Sequence, residues 1–465
     1  MNTKPLAAVY PASLGRVFVI LLMISANWCA GQSLSVAHQT IPGLDTDGTN
    51  TIDVARNFAA TVNGPLTGST PLTLKGGFLS TLSSMLTLWH PDGNTFSGNI
   101  VLDVDGGTMR LSGNPYAAAG VARQGVQLPG LTAANVLTIN RGAQFNIDDN
   151  LTANAQGYYV NRLGTEGNRP AVRMAGGTFN LNGANSAAAM TQTVGTLILV
   201  SGPSAVNVTR NVAGSTPQLI FSSLTPTSGA TVNFTGTGLG TAASGVAQIR
   251  FETAPPTVGG ILPGYARVGN EWAAYGANGV LALASYGGTI QGAAATDNIK
   301  VTGAQTLTSD NTINSLNWNY NGNINVTNFG LTLVSGALLK QNNNANSLLG
   351  TTGYVTAGAG DGVPATLHFF QNANQILTLS ARVLDNPAGT SNTVAFVKDG
   401  SSGGTVSFTQ SGDNDYSGGT FVNAGVLQTA ATADRRYLGT GPVRVDNAGL
   451  SLGHIGATAN TNGFD

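Results

Sequence analysis

The chain has 465 residues, a formal net charge of -1 and only 9% charged residues, against about 25% in an ordinary soluble domain. That balance excludes the basic footprint of a nucleic-acid binder and an acidic tail. Hydrophobic residues make up 42% and glycines number 63, so the chain can fill a core while turning often.

The chain opens with Lys4 and Arg16, then the apolar run "VFVILLMISANW" (Val17 to Trp28), then the small residues of "CAG". This order predicts a secretory signal over 1–31, cleaved near Gly31 or Gln32. The run is shorter than the ~20 residues of a membrane-spanning helix, and no later run reaches that length. Trp28 is bulky for the residue before a lipidated cysteine. Cys29 is the only cysteine, so a mature chain would hold no disulfide and no cysteine-based nucleophile or metal site.

From residue 32 onward the pattern has period two. "LTLKGGFL", "IVLDV", "TMRLS", "TLILV", "TVNFT", "LTLVS" and "TVSFT" are short strands between glycine, asparagine and serine turns. "LNWNYNGNINV" (Leu316 to Val326) alternates throughout, with asparagines on one face and Trp318, Tyr320, Ile324 and Val326 on the other, and reads as one strand. Only "NSAAAMTQTV" (Asn185 to Val194) suggests a turn or two of helix. "GGT" recurs at Gly106, Gly176, Gly287, Gly403 and Gly418, each a tight turn expected to feed a strand. The expected fold is all-β, a single-stranded parallel β-helix (β-solenoid), right-handed, with coils over 32–254 and 255–465.

One unit recurs without a gap at an offset of 320 residues. "LTLWHPDGNTFSGNIVL" from Leu86 aligns with "VSFTQSGDNDYSGGTFV" from Val406. Asn94 meets Asn414, Phe96 meets Tyr416, and Ser97-Gly98 meets Ser417-Gly418. A catalytic tyrosine could not become phenylalanine, whereas a packing ring could. The unit therefore reads as strand, polar turn, aromatic, Ser-Gly turn and strand, one rung of a stack that buries its apolar face only against neighbours.

Candidate chemistry is sparse. "GSSGG" (Gly400 to Gly404) fits G-x-S-x-G around Ser402, but a nucleophile elbow needs a helix to follow and a strand follows here. His38, His90, His368 and His454 have no metal-ligand spacing. The acidic pairs are Asp45/Asp47, Asp103/Asp105, Asp148/Asp149 and Asp413/Asp415. Of these, Asp103 and Asp105 would share a strand face about 7 Å apart, with Arg110 close by. That keeps a β-helix polysaccharide-active enzyme, a lyase or glycosidase, as the competing function. "DTDGTN" is half a calcium loop without its final Glu, and no nucleotide-binding glycine motif is present. No catalytic, cofactor-binding or metal-ligating residue is assigned.

The segment Gly403 to Gly453 resembles the autotransporter-associated β-strand repeat. The resemblance rests on Val406, Phe408, Gly412, Asn414, Tyr416, Gly418, Thr420, Val422, Gly425, Leu427, Leu438 and Gly439. Ser417 and Gly419 lie in the same turn. A weaker copy spans about 86–111, with Asn99 where the later one has Gly419, and residues 255–402 resemble spacer coils of such proteins. The resemblance implies a passenger-type β-helical stalk, secreted or displayed on a bacterial cell surface, adhesive or structural, with glycans or extracellular matrix as partners. No membrane β-barrel is visible in this sequence, although autotransporters carry one.

Overall fold

A computed structural model describes residues 32–36, 39–55, 57–76, 78–79, 82–90, 93–112, 125–148, 161–183, 189–341, 344–389, 392–430 and 435–453. The expected signal segment lies outside them. Among the described residues the structure is all-β, with no helix, and nearly all strand pairs are parallel. No described helix could cross a membrane.

Local sequence explains the strands. In Gln144–Asp148, Thr178–Asn182 and Pro203–Thr209, apolar residues alternate with Asn and Thr, and burial alternates with them. Same-face residues stack in register: Phe145 on Phe179, Phe179 on Val206, Val206 on Phe234. The chain moves from Ala171–Ala175 in an 8-stranded sheet to Thr178–Asn182 in an 11-stranded one. It then passes to Ala189–Val194 in a 3-stranded sheet and returns to the first at Leu197–Ser201. Each circuit lays every strand beside its predecessor, and the inward residues fuse into one core from Val36 to Val280. Aromatic rings run along this core from Phe145 through Phe179, Phe221 and Phe251 to Tyr275, with centroids 5.6–6.0 Å apart.

A second core runs from Ile290 to Leu438. The handover, between Val280 and Ile290, follows three strands that pair antiparallel: Ala266–Val268, Glu271–Gly276 and Gly279–Ala282. The second core lies within a 14-stranded sheet that turns back at Thr420–Thr429. That strand pairs with Val394–Gly400 through its first residues and with Thr405–Phe408 through its last, so the sheet nearly closes on itself.

The halves lie side by side with opposite chain directions. Along the second half, Ser335 meets Gly264, His368 meets Tyr265, Asp399 meets Thr231, Asn423 meets Gly229, and Asp446 meets Arg141.

Four local expectations are corrected. Ala189–Val194 is a strand, not a helical turn; its residues pair fully with Thr216–Phe221, and that ladder, with the β-branched Thr191, Thr193 and Val194, outweighs the helix preference of the alanines. Leu316 to Val326 is not one strand. Asn311–Trp318 ends before a turn, and a short strand resumes at Ile324–Asn325. Gly322 lies against the Tyr320 ring there, where a Cβ would clash. The "GGT" at Gly287 does not feed a strand directly, since the next begins at Asn298. Asp103 and Asp105 share no strand face, because Ile100–Leu102 ends before them. Asp105 adopts φ +54°, a left-handed turn conformation that an Asp tolerates better than most residues.

Candidate functional site

Asn94 sits in the turn after Met85–Leu88. Its Oδ1 accepts the Leu66 N–H at 2.8 Å, and its Nδ2 donates to the carbonyls of His90 (3.1 Å) and Gln127 (3.0 Å). Asn414 does the same 320 residues later. Its Oδ1 accepts the Val383 N–H at 2.8 Å and its Nδ2 donates to the Tyr437 carbonyl at 2.6 Å. Both are buried. Each amide therefore ties its own turn to the rung before and the rung after. Asparagine suits this place because one short side chain offers both an acceptor and a two-hydrogen donor.

The aromatic follows two residues on. Phe96 and Tyr416 are both completely buried. Tyr416 lies 6.1 Å from the Phe396 ring, and its hydroxyl is 2.6 Å from Thr420 Oγ1, which donates to the Leu438 carbonyl at 2.9 Å. Burial pushes the Tyr416 hydroxyl pKa up. In the earlier copy Phe96 has no hydroxyl, and the residue aligned with Thr420 is Ile100, fully apolar and buried. Hydroxyl and partner are present together or absent together.

Gly98 and Gly418 have no room for a Cβ, which would strike the Thr70 carbonyl or the Val394–Ala395 peptide of the preceding rung. Ser417 donates through Oγ to Asp385 at 2.6 Å, while Ser97 donates its N–H to the Gly68 carbonyl at 2.9 Å. Gly419 takes φ +100°. Asn99, at the matching place, instead accepts the Val136 N–H through its side chain. Gly425 takes φ +70° and packs against the Gly404 carbonyl and the Lys398 ammonium, and Leu427 fills the core.

The candidate acids do not converge. Asp47 Oδ1 accepts the N–H and hydroxyl groups of Ser69 and Thr70 one rung on. Those bonds, with the Ser69 N–H foremost, hold its carboxyl below the usual range. Asp45 accepts the Asp47 N–H at 3.2 Å. Asp105 lies 3.8 Å from Arg141, and Asp103 accepts the Val104 N–H. Arg110, expected beside Asp103 and Asp105, pairs with Asp148 at 2.5 Å. Asp149 lies outside the described residues. Asp413 and Asp415 both pair with Arg436, at 3.2 and 3.1 Å. Ser402 sits in the turn between Val394–Gly400 and Thr405–Phe408, with no helix after it. His38 and His454 lie outside the described residues. Among the described residues no three His, Cys, Asp or Glu side chains gather as a metal site.

A buried polar group lies on the seam between the halves. Along Val394–Gly400, Val397 and Asp399 face the first half, whereas Lys398 faces the second core and donates to the Ala424 carbonyl at 2.6 Å. Asp399 accepts the Thr231 hydroxyl and the Gly400 N–H. Burial pushes its carboxyl above the usual range, partly opposed by Thr231, Arg267 and Lys398. Arg267 lies over the Phe370 ring at 5.6 Å. His368 is buried against Tyr265 with its Nδ1 unpartnered, and burial lowers its pKa to about 3. Asn423 donates to the Gly229 carbonyl at 2.8 Å. Gly229, at φ +84°, leaves space for the Phe421 ring that a Cβ would occupy. Nearer the handover, Glu271 binds Lys300 and accepts from Asn317 at 3.0 Å, and Trp272 packs on Phe370 at 5.8 Å. Sequence reading missed this cluster. Its signal was a Lys-Asp pair inside the apolar run "VAFVKDG", which a solvent-facing strand would not need.

No family model matches this chain, and no curated protein or solved structure matches it.

Proposed function

We propose that the chain is a passenger-type β-helical protein, a secreted or surface-displayed stalk whose role is structural and adhesive, with glycans or extracellular matrix as partners. The observation that carries this reading is the paired rung staple. Asn94 and Asn414, 320 positions apart, bond preceding and following rungs through the same amide atoms. That recurrence supports kinship with the autotransporter-associated repeat and gives the repeated residues a load-sharing role, with no catalytic one. The rotation of the chain through stacked parallel strands supports a single-stranded β-helix for each half, right-handed because parallel crossovers almost always are. The acids available to a polysaccharide-cleaving enzyme are engaged in turn bonds and ion pairs on separate corners. A low-charge chain rich in Asn and Thr offers hydrogen bonds to neutral glycans without attracting polyanions.

Export is the direct test. Intact producing cells and their medium are probed with antibody to the mature chain, and the recovered protein is sequenced from its N-terminus. Surface or medium labelling with a start near Gln32 is expected. A chain confined to the cytosol and starting at Met1 would overturn the reading.

A further inference from the structure

Where the 8-stranded and 3-stranded sheets meet, the outer corner carries a pocket of about 200 Å³. Arg169, at the foot of one rung, reaches Glu252 with Nη1 2.7 Å from Oε1. The two residues are 83 positions apart, so the ion pair spans the turns at Gly195 and Ser222 like a strap. The Arg169 side chain is only 13% exposed and its Nε is buried without a hydrogen-bond partner, whereas Glu252 is 49% exposed. Under the strap, Thr196 Oγ1 lies 3.1 Å from Ser222 Oγ and 3.0 Å from Ser223 Oγ. Ala171 adds a small apolar wall, with the buried Val194 behind it.

We propose that this pocket binds one neutral sugar unit, the terminal hexose of a glycan. The proposal rests on the glycan-binding reading above and names the site for it. Four features select that chemistry. One guanidinium and one carboxylate leave the pocket without net charge, so neither an anionic nor a cationic ligand gains from entering. A carboxylate accepts from two adjacent hydroxyls, and the guanidinium beside it offers further N–H groups to a ring or hydroxyl oxygen. Hydroxyls that already exchange hydrogen bonds can re-pair with a polyol at little cost. The apolar wall suits the C–H face of a pyranose. The volume is below the roughly 300 Å³ at which pockets for drug-sized ligands begin, which admits a single ring. An exposed site with few contacts implies weak binding, a Kd on the order of 1 mM, strengthened when a stalk presents many copies.

The test is saturation-transfer difference NMR on the folded mature chain with methyl glycosides of glucose, galactose and mannose, and with glucuronate as the anionic comparison. At least one neutral glycoside should give a saturable signal that weakens at least tenfold in Arg169→Ala and in Glu252→Gln. The Gln variant keeps side-chain size, so circular dichroism and melting should match the parent chain. Three outcomes each overturn the proposal: no signal from any neutral glycoside, a signal from glucuronate alone, or equal signals in parent and both variants. Binding of the chain to an immobilised glycan panel is measured alongside. If that binding persists while the pocket variants change nothing, the pocket assignment fails and the adhesive reading stands. If it is absent altogether, the adhesive reading fails with it.

Discussion

Strands in the two halves are buried differently. In the first half, Val136–Asn140 and Ala171–Ala175 alternate between buried and part-exposed residues. In the second half, Val394–Gly400 is buried at six consecutive positions, and Gly330–Lys340 ends in a buried run from Ser335. Both kinds face a core on one side. The difference is what covers the other side: solvent for most of the first half, the first half itself for the second. A strand covered on both faces loses its polar alternation. The seam between the halves is thus written into the second half as "ALLK", "LHFF" and "VAFVK".

The comparison breaks most severely at Trp272, buried where the seam is most apolar, against Phe370 and beside Leu339. Trp272→Ala should cost about 3–5 kcal/mol, as large-to-small changes at buried aromatics do. The loss should concentrate on the seam. Hydrogen exchange should accelerate at Ala337–Leu339, His368–Phe370 and Val397–Asp399 while Val172, Leu199 and Val206 stay protected. Uniform acceleration across both halves would mean that the seam and the first core unfold as one unit.

Acid should loosen the seam through His368. Its pKa is about 3 in the fold against 6.5 when exposed, so it is neutral in the native state at all but strongly acid pH. The stability tied to its neutral form is fully present above pH 6.5 and is lost as pH falls from 6.5 towards 3, by at most about 1.4 kcal/mol per pH unit. Asp399 works in the opposite sense. Its raised pKa means that it takes up a proton more readily in the fold than in the unfolded chain, so its contribution is greatest at low pH and is lost as pH rises through the raised value. Arg267 and Lys398 remain charged through that window and favour the Asp399 carboxylate. Denaturant melts at pH 7, 5.5 and 4 on the parent chain and His368→Gln isolate the histidine. The parent should lose stability faster over this range, and parallel curves would defeat the assignment.

Much of the fold was legible because period-two patterning acts locally. A strand such as "QFNID" shows its buried face in five residues. The recurrence of an Asn and an aromatic at a fixed offset was legible too, at Asn94 and Phe96 and at Asn414 and Tyr416. The seam was not, because it depends on which strands of one half come to lie beside which strands of the other. Asp399 and Thr231 are 168 positions apart, and nothing near either residue points to the other. The Asp103/Asp105 reading failed for a related reason. Spacing of two implies a shared face only while the strand continues, and Ile100–Leu102 ends before Asp103, in a turn where Asp105 takes φ +54°. Asp148 was read as one of a pair with its neighbour, while its actual partner, Arg110, lies on the preceding rung.

The rung staples sharpen the comparison, because one copy stands in each half. Asn94→Leu keeps the branched shape and heavy-atom count and removes every hydrogen bond, leaving the Leu66 N–H and the His90 and Gln127 carbonyls without that partner. Asn414→Leu does the same to the Val383 N–H and the Tyr437 carbonyl. Each buried group left unmet costs about 1–3 kcal/mol. Stacked rungs depend chiefly on their neighbours, so each variant should lower the denaturation midpoint of its own half more than that of the other. Hydrogen exchange resolved by half would reveal it, and identical profiles for the two variants would show that the halves are not separable.

The smallest effect expected is at the hydroxyl that distinguishes the two copies. Thr420 spends its one hydrogen on the Leu438 carbonyl, so the Tyr416 hydroxyl must be the donor in the 2.6 Å contact with Thr420 Oγ1. Tyr416→Phe removes that donor and leaves the ring, at a cost of about 0.5–1.5 kcal/mol. Thr420→Val alone costs more, because it strands both the Tyr416 hydroxyl and the Leu438 carbonyl. The double variant recreates the apolar pairing of Phe96 with Ile100, and only the Leu438 carbonyl remains unmet. Its cost should therefore fall below the sum of the two single costs, a coupling that a double-mutant cycle on urea melts reads directly. Simple additivity would mean that hydroxyl and partner are not an energetic pair. Phe96 and Ile100 would then differ from Tyr416 and Thr420 by drift alone.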